Sequence, residues 1–390
     1  MPNIAFFCIP AHGHTNPTLG VVQELVAGGN RVRYYSYNCM EEKITAAGAE
    51  FVSCDGFDSQ QKLTPDEAAR LGSDLALSTR VLVDTTLALD EHIRTELAAF
   101  RPDCIVADSM AIWGRLAAQK LGVPFVSSTT TFAFNRHSAK VMKQSPKGLL
   151  GMLFALPKIN RQLDRLRAAG YPVKNVLELI SNDENTHTVV YTSPMFQPCA
   201  ETFSEKFSFV GPSIRPAAQQ VEKTREKLVY LSMGTVNNDM LPLYRDTVAA
   251  LAHSGWQVIL SVGEQTDPQA LGPLPAGITA HRQVDQIAVL QQADAFVSHC
   301  GMNSASESLY YGVPLVTLPQ TPEQQGVANR VLQLGAGIRP ASAGGSDIRK
   351  ALETLFADSS YREHAAAIGQ DFRRCSGAKG AAQKILSLCK

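Results

Sequence analysis

Short apolar blocks alternate with amphipathic segments along nearly the whole of this 390-residue chain. The first block, residues 4–9, precedes a segment at 16–29 in which apolar positions recur at helical spacing, with a proline near its start and glycines at its end. A second block follows at 31–37, and the same alternation continues over residues 104–130. Strands that alternate with helices in this way are typical of a parallel sheet with helices on both faces.

The alternation is interrupted once and then begins again. Residues 134–182 are more helical and less regular, and residues 211–227 combine prolines and polar residues with little periodicity, as linkers do. From residue 228 the order strand, loop, helix, glycine, strand repeats the order at the N-terminus. A chain of this length is usually too long to fold around a single hydrophobic core. The pattern therefore predicts an α/β protein with two Rossmann-like, doubly wound domains, residues 1–212 and 213–368, followed by a helical segment at 369–390.

Composition and charge exclude several classes of partner. The 36 basic and 36 acidic residues cancel, so we expect no electrostatic attraction to nucleic acid. No apolar run approaches the roughly 20 residues of a membrane span, and we expect a cytoplasmic protein without stable membrane insertion. The mixed apolar and basic segment at 149–170 is expected to line an acceptor cleft or pack in a core, with peripheral membrane contact as the alternative. The eight cysteines include no C-x-x-C pair, which favours reduced thiols.

The residues after the apolar block at 295–298 indicate phosphate binding. Gly301 allows close approach of a ligand, and Asn303 and Ser304 lie at the start of a predicted helix, where free amides and the helix dipole favour an anion. Glu307 lies one turn deeper on the same face and is placed to accept hydrogen bonds from a ribose. The alternative is a simple capping box, in which the glutamate only closes the helix terminus.

A second polar pair supports the ligand interpretation. Glu323 and Gln324 follow two prolines in the sequence PQTPEQ, which we place at the carboxyl end of a strand, where open α/β sheets bind ligands. Neither half of the chain has the G-x-G-x-x-G fingerprint after its first strand, which argues against a nicotinamide dehydrogenase.

These motifs resemble the signature of the nucleotide-sugar-dependent glycosyltransferases that modify small molecules, above all the bacterial macrolide and flavonoid glucosyltransferases. The family order W-x-P-Q, H-C/A-G-x-N-S-x-x-E, G-V-P and P-x-x-x-D/E-Q corresponds here to QVDQ, HCGMNSASE, GVP and PQTPEQ. The resemblance covers the chain and implies the GT-B fold, two Rossmann-like domains facing each other across a cleft, with the last helix crossing back to the N-terminal domain. It also implies that the domains close over the cleft, with residues 211–227 as the hinge.

The resemblance implies a UDP-sugar donor, in the first place UDP-glucose, and a small hydrophobic acceptor such as a macrolide, a flavonoid or another phenol. The nucleotide-sugar-binding residues that it implies are Thr235, Val284, His299, Gly301, Asn303, Ser304, Glu307, Glu323 and Gln324. Among these, the residues at 299–304 would hold the diphosphate, Glu307 the ribose, and Glu323 with Gln324 the sugar. The alternatives are a packed histidine at position 299 and a simple turn hydroxyl at Thr235.

One departure from the family pattern concerns the nucleotide base. Gln283 and Asp285 replace the usual tryptophan and proline. The family tryptophan stacks on uracil, and stacking of a base on an aromatic ring is worth about 1–3 kcal/mol. A TDP-sugar therefore stays open as the donor.

Two histidines, His12 and His14, lie in the first strand-to-helix loop. Attack by a neutral hydroxyl on an anomeric carbon is helped by a base whose pKa lies near neutrality, while fixed donors at a helix N-terminus stabilise the leaving diphosphate. The family pattern G-H-x-x-P corresponds to residues 13–17, which makes His14, immediately before the helix, the base. His12 remains the less favoured candidate. A metal bound by the pair is disfavoured, since no further ligands follow at suitable spacing.

The resemblance also assigns the acid that orients the base. Asp108 ends an apolar block and matches the family aspartate, with a helix-capping role as the alternative. Ser128 and Thr129 end the next strand and are candidate acceptor-binding residues. We therefore expect a metal-independent, cofactor-free inverting transfer that forms a β-glycoside, by a monomer or weak dimer. A lipid acceptor and a catalytically silent nucleotide-binding protein are the alternatives.

Overall fold

The computed structural model describes residues 1–57, 63–64, 67, 70, 74–141, 146–176, 185–234 and 238–389. They form two compact units, one of Met1–Ser213 with Cys375–Lys390 and one of Ile214–Arg374. The second unit thus extends beyond residue 368, the boundary that the sequence suggested. The reason is that a continuous helix over Ser360–Arg374 runs through Gly369, where a side chain would lie 2.4 Å from the Leu309 carbonyl oxygen of the same unit.

The first unit contains a seven-stranded parallel sheet. Its strands are β1 (Asn3–Phe7), β2 (Arg31–Ser36), β3 (Glu50–Ser53), β4 (Cys104–Asp108), β5 (Phe125–Thr129), β6 (His187–Val190) and β7 (Phe207–Phe209). Their order is β3-β2-β1-β4-β5-β6-β7, so the winding direction changes between β1 and β4. Ligands of open α/β sheets bind at the carboxyl ends of the strands beside such a switch point.

The second unit repeats this plan with six parallel strands. They are β8 (Leu228–Ser232), β9 (Gln257–Ser261), β10 (Ile278–His281), β11 (Ala295–Ser298), β12 (Leu315–Thr317) and β13 (Gly337–Ile338). The order β10-β9-β8-β11-β12-β13 places the switch point between β8 and β11. No helix or strand lies between β7 and β8, where the sequence predicts a linker.

Helices connect the strands in both units. They are α1 (His12–Ala27), α2 (Glu41–Ala46), α3 (Leu75–Phe100), α4 (Ile112–Leu121), α5 (Arg136–Val141), α6 (Pro146–Ala168), α7 (Leu241–Leu251), α8 (Gln286–Leu290), α9 (Met302–Tyr310), α10 (Pro322–Gln333), α11 (Gly345–Ala357), α12 (Ser360–Arg374) and α13 (Gly377–Leu386). Within the described ranges, no helix combines the length and the apolar composition that a bilayer span requires.

The central strands β1 and β4 are buried on both faces of the first sheet, which is why they appear as continuous apolar blocks. Successive side chains of β1 point to opposite faces. Phe6 stacks on Tyr34 in one core cluster, and Phe7 stacks on Tyr35 in the other. This packing on both faces holds β1 and β4 in place, and the candidate active site lies at the carboxyl ends of these two strands.

The start of α1 differs from the prediction. The helix begins at His12 because the carbonyl group of Ala11 accepts hydrogen bonds from the amides of His14 and Thr15. Pro17 consequently lies inside the helix rather than at its start. The prediction that His14 precedes the helix is therefore wrong, and His14 belongs to its first turn.

Candidate active site

His14 and Asp108 meet at the switch point of the first sheet. Asp108 is the last residue of β4, and His14 lies in the first turn after β1, the neighbouring strand. The distance from His14 Nδ1 to Asp108 Oδ2 is 2.8 Å, and the Asp108 side chain is completely buried, whereas that of His14 is 19% exposed. A carboxylate that accepts from Nδ1–H leaves Nε2 unprotonated and able to take a proton.

The second oxygen of Asp108 fixes the carboxylate. Oδ1 accepts a hydrogen bond from the Met110 amide at 2.9 Å, and the Asp108 carbonyl accepts from the Ala111 amide at 2.8 Å. The N-cap of α4 is Ala111, so Asp108 closes the turn before the helix rather than capping the helix. This turn holds Oδ2 towards the imidazole.

Thr130 is a third member of this group that the sequence analysis did not identify. Its hydroxyl lies 3.2 Å from His14 Nδ1, and the residue is buried one position beyond β5. The predicted acceptor residues Ser128 and Thr129 are only 1% and 4% exposed, and the Ser128 hydroxyl donates to that of Tyr191 at 3.4 Å. Their contact with an acceptor stays a prediction that this burial does not support.

His12 has a different partner from His14. It is exposed on the first turn of α1, and Lys43 Nζ donates a hydrogen bond to its Nδ1 at 3.3 Å. Partial burial and the lysine charge together lower the pKa of His12. A lysine neighbour disfavours the imidazolium that a general base forms, whereas the Asp108 carboxylate beside His14 favours it.

The predicted phosphate site lies at the carboxyl end of β11. Cys300 adopts a left-handed φ of 62°, and Gly301 then serves as the N-cap of α9. Since glycine offers no capping side chain, the capping-box alternative is wrong. Asn303 and Ser304 occupy the first turn, whose amides and dipole suit an anion.

The imidazole of His299 lies between two glycines. A Cβ at Gly234, which follows β8 with φ of +87°, would lie 2.7 Å from the ring, and a Cβ at Gly301 would lie 2.7 Å from Nε2. Burial lowers the pKa of His299 to about 4, an effect that the Ser232 backbone only partly offsets. With this pKa the ring is neutral at pH 7 and can donate one N–H to a phosphate oxygen.

Glu307 lies one turn into α9 and is held by Gln286, a residue that the sequence analysis quoted but did not assign. Gln286 Nε2 donates to Glu307 Oε2 at 2.5 Å and to Ser304 Oγ at 3.4 Å, and its Oε1 accepts from the Tyr230 hydroxyl at 3.3 Å. Burial raises the pKa of Glu307, and the Gln286 bond offsets only part of this rise. A carboxylate in this position is stabilised by further hydroxyl donors.

The segment that departs from the family pattern lies between β10 and α8. Gln283 is exposed and donates to Glu264 Oε1 at 3.0 Å, while Val284 is half-buried. Asp285 accepts hydrogen bonds from Arg215 at 2.6 Å and from the Ala218 amide at 2.6 Å. Burial alone raises the pKa of Asp285, but these bonds outweigh it and the net pKa is lowered. Asp285 thus ties the start of the second unit to this segment.

Glu323 and Gln324 follow the carboxyl end of β12, as predicted, and lie in the first turn of α10. Thr321 is the N-cap and accepts a hydrogen bond from the Gln324 amide, and Gln324 Oε1 accepts from the Gln320 amide at 2.8 Å. Glu323 is exposed in the same turn. Thr235, the remaining predicted residue, lies outside the described residues.

Known proteins resemble this chain along its whole length. Residues 245–384 match the model of the erythromycin biosynthesis protein CIII-like C-terminal domain. The NDP-glycosyltransferase YjiC of Bacillus licheniformis is 30% identical over 98% of this chain and 96% of its own. This chain belongs to the NDP-glycosyltransferases.

Other members of the family support the same assignment. The demethyllactenocin mycarosyltransferase of Streptomyces fradiae is 30% identical over 100% of this chain and 87% of its own. The crystal structure of CalG4, the calicheamicin glycosyltransferase, is 30% identical with a TM-score of 0.82, covering 100% of this chain and 98% of CalG4. The predicted family and the predicted GT-B class of fold are confirmed.

The two glycines around His299 give a test of the donor site of this NDP-glycosyltransferase. We expect Gly234→Ala to weaken nucleoside diphosphate binding at least tenfold, because the methyl group displaces the His299 ring and the residue has a left-handed φ. Isothermal titration with UDP and with TDP measures the effect.

Gly255→Ala is the matched control for this prediction. Gly255 has a similar φ of +77°, but a Cβ there would meet nothing within 4 Å. We expect it to lose stability without losing nucleotide affinity. Equal affinities for the Gly234→Ala variant and the wild type would show that this contact does not shape the donor site.

Proposed function

We propose that this enzyme transfers glucose from UDP-glucose to a hydroxyl group of a small hydrophobic acceptor, with inversion at the anomeric carbon. The observation that carries the proposal is the 2.8 Å bond between His14 Nδ1 and the buried carboxylate of Asp108. It supports a general base at the switch point of the first sheet, while the second sheet has a phosphate-type site at its own switch point.

His14 is the base in the proposed reaction. Its Nε2 takes the proton of the acceptor hydroxyl as the oxygen attacks the anomeric carbon, and the bond from that carbon to the diphosphate breaks. Asp108 keeps the Nδ1 proton in place and stabilises the imidazolium that forms. One displacement of this kind converts an α-linked donor to a β-glycoside.

The donor is held by neutral groups and two carboxylates. The amides at the start of α9 and the neutral His299 ring offer hydrogen bonds to the diphosphate, which becomes more negative as it leaves. Glu307, fixed by Gln286, accepts from the ribose hydroxyls. Glu323 and Gln324 are proposed to contact the sugar. Since these groups supply the stabilisation, we propose that the transfer needs no metal ion.

The first unit exposes large apolar side chains that suit a hydrophobic acceptor. Phe57, Phe134 and Met195 are each at least 40% exposed. They follow the carboxyl ends of β3, β5 and β6, which is the edge of the sheet where Asp108 lies. Exposed large apolar side chains at the carboxyl ends of these strands support binding of an apolar ring system.

A TDP-sugar is the second candidate donor. The exposed, polar Gln283 occupies the place of the aromatic ring on which the family stacks uracil. The site therefore lacks the binding free energy of about 1–3 kcal/mol that stacking of the base on that ring contributes.

The direct test is a transfer assay with a flavonol acceptor and either UDP-glucose or TDP-glucose, each with and without EDTA. Mass spectrometry identifies the glucoside, and the proton coupling at the anomeric carbon in NMR assigns its configuration. We expect a β-glucoside from UDP-glucose that EDTA does not suppress.

Each outcome of this assay has a clear meaning. An α-glucoside would overturn the inverting mechanism, and suppression by EDTA that added Mg²⁺ reverses would overturn metal independence. If a product formed from TDP-glucose but not from UDP-glucose, the donor would be TDP-glucose. Binding of UDP without any product from a panel of phenols and macrolides would favour the nucleotide-binding protein or the lipid acceptor.

A further inference from the structure

An aromatic pair lies beyond the carboxyl end of β3 in the first unit. The ring of Phe57 stacks on the imidazole of His92, with 4.0 Å between the ring centroids and 16° between the ring planes. His92 belongs to the second half of α3 and is half-buried, whereas Phe57 is 44% exposed. An exposed apolar ring whose orientation is held by a second ring offers a flat surface to a ligand.

Both members of the pair are anchored to the sheet. His92 Nε2 lies 3.1 Å from the carbonyl oxygen of Ser53, the last residue of β3. Since a carbonyl oxygen only accepts, Nε2 carries the hydrogen and donates it to the strand. The turn that leads to Phe57 is anchored as well, because the Asp55 carboxylate accepts a hydrogen bond from the Asn38 amide at 2.6 Å.

The pair lies on the same sheet edge as the candidate base, two strands away from it. The strand β3 pairs with β2, and β2 pairs with β1, which leads to His14. Neighbouring strands are about 4.8 Å apart, so the end of β3 lies about 10 Å from the end of β1. A phenol with a single ring is too short to span this separation from His14, whereas a flat acceptor of several linked rings is long enough.

We propose that Phe57 stacks on the distal ring of a planar, multi-ring phenol whose reacting hydroxyl group lies at His14, and that His92 is a positioning residue that holds the Phe57 ring in its stacking orientation. The inference rests on the proposed function and narrows the acceptor from small hydrophobic molecules to flat aromatic ones of the flavone type. A macrolide ring has no π face and gains less from this contact.

The experiment compares transfer by the full chain to 7-hydroxyflavone, which has three rings, and to 4-nitrophenol, which has one. We expect Phe57→Leu to raise the KM for 7-hydroxyflavone about tenfold more than the KM for 4-nitrophenol, because leucine keeps an apolar side chain but loses the flat ring. Phe57→Tyr keeps the ring and should retain the wild-type ratio of the two KM values.

Leu121→Ala is the matched control for the loss of an exposed apolar side chain. Leu121 is 46% exposed, close to the value for Phe57, but it ends α4 and precedes β5, at the opposite edge of the sheet. We expect Leu121→Ala to leave the KM values for both acceptors unchanged.

His92→Gln tests the positioning role. Glutamine keeps a donor for the Ser53 carbonyl but removes the ring that supports Phe57. We expect the KM for 7-hydroxyflavone to rise about threefold while kcat is retained. A purely structural role of His92 would instead lower Tm without changing this KM.

Isothermal titration with 7-hydroxyflavone separates this inference from the proposed function. If the wild type forms no glucoside from either acceptor, the proposed function fails, and flavone affinity alone decides the inference: weaker binding by Phe57→Leu, by about tenfold, supports it. Equal flavone affinities of the wild type and Phe57→Leu, no flavone binding by the wild type, or equal increases in KM for the two acceptors would overturn it. If Phe57→Leu does not fold, the flavone affinity of His92→Gln decides in the same way.

Discussion

Replacing His14 by alanine is expected to lower the rate of glycosyl transfer by about 10²–10⁴-fold. The acceptor hydroxyl then has no base at the end of β1, while the proposed diphosphate site in the second sheet keeps all its groups. We therefore expect kcat to fall and the affinity for the nucleoside diphosphate to stay the same. Steady-state transfer kinetics and isothermal titration with UDP, on the same preparation, measure the two quantities.

His12→Ala is the control for this prediction. His12 lies two residues earlier in the same helical turn but is exposed and bonded to Lys43 rather than to a carboxylate. We expect its removal to change the transfer rate less than threefold. Loss of transfer in His12→Ala with retention in His14→Ala would reverse the assignment of the base.

Asp108→Asn is expected to reduce kcat by about 10³–10⁴-fold, similar to the effect of the same change in the catalytic triad of serine proteases. The two oxygens of Asp108 accept hydrogen bonds from His14 Nδ1 and from the Met110 amide. Asparagine has only one oxygen. If its NH₂ group faces His14, the imidazole proton moves to Nε2, which then cannot accept a proton. If the NH₂ group faces the Met110 amide, two donors oppose each other and the turn is distorted. Transfer kinetics and the melting temperature measure the result.

Two substitutions distinguish this effect from a loss of stability. Asp103→Asn weakens the bond that the Asn3 amide donates to Asp103 at 2.7 Å, near the other end of β4, and should affect Tm without affecting kcat. Thr130→Val removes the weaker contact with His14, and we expect a loss of less than tenfold. Wild-type kcat in a folded Asp108→Asn variant would show that the carboxylate does not orient the base.

The alternation of apolar blocks and helices was sufficient to predict two parallel-sheet domains, because a strand buried on both faces leaves a continuous apolar signature. The start of α1 was predicted incorrectly for a local reason. A proline usually marks the first turn of a helix, but Pro17 lies within α1, since the Ala11 carbonyl begins the hydrogen-bonded turn earlier. The segment at 319–324 does follow the carboxyl end of β12, as predicted, and the structure adds that Thr321 caps α10 there.

The candidate phosphate site could be proposed from the sequence because its residues are close together in the chain. Gly301, Asn303, Ser304 and Glu307 belong to one helix terminus, so their spacing determines their relative positions. Thr130 carried no such signal, and Gln286 was visible only as the last residue of the QVDQ motif, without a role. The role of each depends on a partner from another element.

The sequence by itself determined the order of the elements, the helix terminus that suits a diphosphate and, through its motifs, the family. The family resemblance implied that Asp108 orients His14, and the tertiary structure brings these two residues, 94 positions apart, together because β1 pairs with β4. Only the tertiary structure decided other contacts between distant residues. Gly234, for example, lies against His299 because β8 pairs with β11. Such contacts depend on strand order and on the packing of whole elements, and the local propensities that a sequence displays do not specify them.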